Sequence, residues 1–121
     1  MQLVPGLVIA IADGRVRPRH RRKWHICVSP EQRLFLRINS KPLWPPSHPI
    51  KAEQNSFLEH DSYVELTTLH FFPESELRRA TRVGQMSEIE QTNLAYAAVE
   101  TGVTLRADHK EIIWEKLGGL P

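Results

Sequence analysis

Seven residues able to grip an anion or carry a proton crowd into positions 15 to 23: Arg15, Arg17, Arg19, His20, Arg21, Arg22 and Lys23. Arginine bonds two phosphate oxygens at once, lysine neutralises one as a point charge, and histidine exchanges a proton near neutral pH. Two further histidine and hydroxyl groups follow at short range, His25 and Ser40, the latter beside Asn39. These types suffice for one metal-free reaction, cleavage of RNA through its own 2′-hydroxyl. That reaction needs a base for the 2′ proton, an acid for the leaving 5′ oxygen and a cation for the crowded phosphate. The competing reading is a solvated basic loop that aids solubility.

The run must be held to act. Two strand-like segments follow it, Trp24 to Ser29 and Arg33 to Asn39, joined by the hairpin-length connection Pro30-Glu31-Gln32. In the second, Leu34, Leu36 and Ile38 alternate with Arg33, Phe35, Arg37 and Asn39, the period of a half-buried strand. Before the run, residues 7–12 read as a short buried strand closed by Asp13-Gly14. A basic loop clamped between strands is a rigid anion site, and the commonest cellular polyanion is nucleic acid.

The rest of the chain supplies the frame. Pro42, Pro45, Pro46 and Pro49 exclude helix and central strand from 41–49, where Trp44 is expected to anchor an ordered loop. Residues 50–52 and 62–68 read as strands. Ser87 with Glu90 is a capping box that opens a helix to about Thr101, stopped by Gly102, with Leu94, Ala97, Ala98 and Ile89 toward one side. Asp108 with Glu111 predicts a second helix carrying Ile112, Ile113, Trp114 and Leu117. Strands first and helices last give a mainly β fold with appended helices, a small, strongly bent antiparallel sheet or barrel with one or two C-terminal helices, in a single domain over 1–121.

Several classes find no support. No histidine pair stands four apart, and one cysteine cannot furnish a zinc site, so neither metal nor cofactor is expected. The sequence has no phosphate loop and no nucleophile elbow. Cys27 lies in an apolar strand pattern and reads as a buried small hydrophobe. No apolar run approaches the roughly 18–20 residues needed to span a bilayer, and a cytoplasmic location is expected. Residues 1–60 carry 10 Lys/Arg against 4 Asp/Glu and residues 61–121 carry 6 against 10, which predicts a basic face and an acidic face if the halves stay apart in space.

His25 also reads as a half-exposed strand residue facing away from Ile26. The adjacent His60 and Asp61 read as a turn closed by Asp61 or Ser62 in preference to a catalytic pair. Trp24, Phe35 and Trp44 are candidates for stacking on bases, although core packing is the more frequent fate of a tryptophan.

The stretch Lys23-Trp24-His25-Ile26-Cys27-Val28-Ser29, the strand end Ile38-Asn39-Ser40 and the late Gly84-Gln85-Met86-Ser87 with its helix together resemble the PemK/MazF toxins of type II toxin–antitoxin systems. The resemblance spreads over residues 6–101 and rests on pattern more than on identical residues. It implies an SH3-like antiparallel β-barrel, a homodimer, a metal-independent endoribonuclease acting on single-stranded RNA, and a small antitoxin as partner. The family's motif arginine falls on Lys23 with Arg22 beside it, its proline is replaced by Trp24, and its threonine falls on Asn39 with Ser40 the nearest hydroxyl. Lys23, Arg22, Ser40 and His25 are the candidate catalytic set, and Arg17, Arg19, His20, Arg21 and Asn39 the candidate RNA contacts. The alternative is the same barrel as a non-catalytic module for nucleic acid or a protein partner.

Overall fold

A computed structural model describes residues 1–12 and 22–118. Its strands are β1 (Leu7–Ala12), β2 (Arg22–Ser29), β3 (Leu34–Asn39), β4 (Ser47–Ile50), β5 (Ser62–Glu65), β6 (His70–Phe71) and β7 (Thr81–Gln85). A short helix α1 (Glu74–Leu77) precedes β7, and α2 (Glu88–Thr101) and α3 (Ala107–Leu117) follow it. The strands form one antiparallel sheet in the order β4-β5-β3-β2-β1-β7, with β6 also on β3. β5 and β6 share one edge of β3, β5 at Ile38 and Asn39, β6 at Leu34 and Phe35. The mainly β architecture with helices at its C-terminal end is as the sequence predicts. Among the described residues no pairing closes β4 onto β7, so the sheet is open.

Each face of the sheet has its own core. On one, Val8, Ile26, Val28, Leu36 and Ile38 pack with Leu94, Ala98, Ile113 and Leu117 of α2 and α3. On the other, Leu7, Ile9, Ile11, Cys27 and Phe35 pack with Phe72 and Leu77. Side chains alternate along a strand, so β2 sends Ile26 and Val28 to the first core and Cys27 to the second. Each large apolar side chain buried in this way contributes about 1.5–3 kcal/mol. The second core explains why β3 is not half-exposed. Phe35, expected on an open face, meets Phe72 edge-on at 5.6 Å and is fully buried.

Other expectations are corrected. Residues 47–50 form a strand despite Pro49, because β4 is the outermost strand and pairs only with β5, where a missing N–H is tolerated. The predicted strand at 50–52 gives way to a 3₁₀ turn, Ala52–Gln54. β5 ends at Glu65, short of the predicted 68. Trp44 is 63% exposed and anchors nothing. The first capping box forms, Ser87 Oγ accepting from the Glu90 N–H at 3.2 Å. The second does not: α3 begins at Ala107, and Asp108 instead accepts two bonds from the Arg106 guanidinium. α2 buries Gln91, Leu94, Ala95 and Ala98, and leaves Ile89 in solvent. The two halves interleave, since β7 pairs with β1 and both β5 and β6 pair with β3, so they do not form separate charged faces. Among the described residues no helix is long and apolar enough to cross a membrane.

Candidate functional site

Three segments meet at one end of the sheet: the start of β2, the end of β3 and the turn leading into β5. The pairing of Trp24 with Ile38 brings the first two together, and that of Asn39 with Tyr63 brings in the third. Between them lies an open cavity of about 290 Å³. β2 contributes Arg22, Lys23 and Trp24; β3 and its end contribute Ile38, Asn39 and Ser40; the turn contributes Leu58, Glu59, His60 and Ser62. Arg22 and Lys23 belong to β2 itself rather than to the preceding loop, which fixes their backbone.

The cationic groups differ in availability. The Arg22 guanidinium reaches across β1 to donate to Thr81 Oγ1 at 2.5 Å and to the Arg79 carbonyl at 2.7 Å. The Lys23 ammonium holds no hydrogen bond or ion pair among the described residues, so it is the readier phosphate ligand. Ser40 and Glu59 are likewise exposed at the cavity with donor and acceptor capacity unspent among the described residues.

Behind the cavity wall Asn39 is 5% exposed, and its Nδ2 donates to Glu65 Oε1 at 2.5 Å. Glu65 also faces the Arg37 guanidinium at 4.0 Å. Asn39 therefore shapes the wall and is already committed to a buried carboxylate.

His25 is not at this site. It is fully buried on the other face of the sheet, edge-on to Phe72 at 4.9 Å and to His70 at 5.9 Å. Its Nε2 accepts from Arg37 Nε at 3.4 Å, leaving Nδ1 to donate to the Lys23 carbonyl at 3.2 Å. Alternation along β2 sends His25 away from Ile26, as the sequence predicts, but a second core receives it, so it cannot exchange protons with a ligand in the cavity.

The histidine of the cavity is His60. It lies 3.0 Å by Nδ1 from the Asp61 carbonyl, an arrangement that places the proton on Nδ1 and leaves Nε2 to accept. The turn around it is closed as expected: Ser62 Oγ donates to the His60 carbonyl at 3.2 Å. Asp61 ties it to the 3₁₀ turn, accepting from the Ala52 N–H at 2.9 Å and from Lys51 at 3.4 Å. The Ala52 N–H, with help from Lys51 and His60, holds the Asp61 carboxyl below its ordinary range. Trp24 forms the apolar wall, half-buried and tilted against Phe57 at 6.4 Å. Gly84 makes room for Phe57, since a Cβ there would fall 2.5 Å from the Phe57 Cβ.

Of the predicted site residues, Arg22, Lys23, Asn39 and Ser40 converge and His25 does not; Arg17, Arg19, His20 and Arg21 lie outside the described residues. Glu59 and His60 were not placed with them by sequence reasoning, because nothing local to 58–62 signals that β5 pairs beside Asn39. Among the described residues no group of His, Cys, Asp and Glu is arranged to hold a metal ion. Compared with models of known families, with characterised proteins and with solved structures, the chain matches none.

Proposed function

We propose that this cavity binds single-stranded RNA and cleaves it without a metal, as a toxin-like endoribonuclease with a small protein antitoxin and a homodimeric state. The observation that carries the reading is the convergence of Lys23, Arg22 and Ser40 with the His60 imidazole around one cavity. Lys23 and Ser40 bond the non-bridging phosphate oxygens, and Arg22 adds long-range positive potential from its place against β7. His60 replaces His25 as proton carrier. The 2′ oxygen loses its proton and attacks phosphorus, the bond to the 5′ oxygen breaks, and that oxygen takes a proton; the products are a 2′,3′-cyclic phosphate and a 5′-hydroxyl. His60 Nε2, free to accept, takes the 2′ proton, and a water molecule gives the leaving 5′ oxygen its proton.

The test is incubation of a long unstructured RNA with the protein in EDTA, with Lys23→Ala and His60→Ala in parallel and new 5′ ends mapped. Discrete cuts lost in both variants support the reading. Intact RNA removes the enzyme and leaves the non-catalytic module, whose nucleic-acid binding would still weaken steeply with salt.

A further inference from the structure

The cavity is chemically mixed. Its lining joins Lys23 of β2 and Ser40 at the end of β3 with a carboxylate from the turn before β5, Glu59, beside the apolar Leu58 and Trp24. A carboxylate repels phosphate, so Glu59 is the wrong group for the backbone of a nucleic acid. It is exposed and pairs with no cation among the described residues, so its oxygens are not spent on neighbours.

An ionised carboxylate only accepts, through two oxygens side by side. Guanine is the base that offers two adjacent donors on its pairing edge, N1–H and the N2 amino group; adenine and cytosine offer one amino group there, and uracil one ring N–H. Stacking on an aromatic ring is indifferent to base identity and so cannot select among them. The volume, about 290 Å³, lies at the small end of ligand pockets and suits one nucleotide. Resting on the RNA reading above, we infer that the cavity is a guanine-nucleotide subsite: the base lies against Trp24, Glu59 accepts from N1–H and N2–H, and the phosphate goes to Lys23 and Ser40. Glu59 is then the residue that determines specificity.

The test is calorimetric titration with the four ribonucleoside 3′-monophosphates and with 3′-inosine monophosphate, which keeps N1–H and lacks the amino group. Guanosine monophosphate should bind about fivefold or more tightly than the other three, with inosine monophosphate between, since a bidentate pair discriminates by at least that much. Glu59→Gln should level the preference, and Lys23→Ala should weaken all five alike. Equal affinity for all bases, or a preference that survives Glu59→Gln, overturns the guanine subsite and leaves the ribonuclease reading standing, to be judged by its own cuts. No binding of any nucleotide overturns both.

Discussion

Asn39 and Glu65 form a buried amide–carboxylate pair, Nδ2 to Oε1 at 2.5 Å, at the wall of the candidate site. Glu65 is 4% exposed and also faces Arg37, so removing its carboxylate strands the Asn39 amide away from water and takes the negative charge from beside the Arg37 guanidinium. Glu65→Ala should lower stability by about 3 kcal/mol, and Glu65→Gln by roughly half of that, because its amide oxygen can still accept. Urea unfolding checks both; equal stability of the alanine variant and the parent would show that the pair is not formed.

Asp61 holds the turn that carries His60. Asp61→Ala should leave the global unfolding transition nearly in place, broaden or shift the His60 ring resonances, and reduce any RNA cleavage. The pH dependence has a definite sign. A carboxyl held below its ordinary range by the Ala52 N–H stabilises the folded turn above that range and ceases to do so as acid protonates it. The His60 resonances of the parent should therefore come to resemble those of the alanine variant at low pH.

Gly84 and Phe57 set the position of Trp24. A methyl group at 84 meets Phe57 at its Cβ, an atom that cannot swing away, so Gly84→Ala should cost about 1–3 kcal/mol. Because Phe57 lies against Trp24, indole emission should shift with it. A stable variant with unchanged fluorescence would mean that the close approach relaxes without reaching the cavity.

Burial, with a smaller contribution from Glu31, pushes the Cys27 thiol up to about 12 from 9.0. A native-state thiol of this kind should not react with a disulfide reagent at pH 8, and should react fully on unfolding. Between pH 9 and 12 the unfolded chain gives up the proton first, so stability falls as pH rises, by up to about 1.4 kcal/mol per unit. Cys27→Ala should flatten that limb of the stability curve.

Period-two alternation made β3 and the direction of His25 legible, and the Ser87 capping box marked α2. What alternation cannot show is whether the second face is covered: Phe72 and Leu77, which cover it, come from a segment with no periodic pattern. That is why His25 read as half-exposed and stood among the site residues. Lys23, Arg22, Asn39 and Ser40 were found because one hairpin brings them together, a relation local in sequence. His60 and Glu59 reach the same place through the β3–β5 pairing, across some twenty residues of proline-rich chain, and that pairing has no local signature.

The β2–β3 register shifts between Cys27 and Ser29, between the hairpin turn and the site end. A one-residue change of pairing would ordinarily exchange the faces of every side chain beyond it, setting Lys23 where Trp24 belongs. With the slack already taken up at the shift, residues can be gained or lost in the turn at 30–33 without passing that error on to the other end. The tip of this hairpin can thus change length while the ends of β2 and β3 stay in phase.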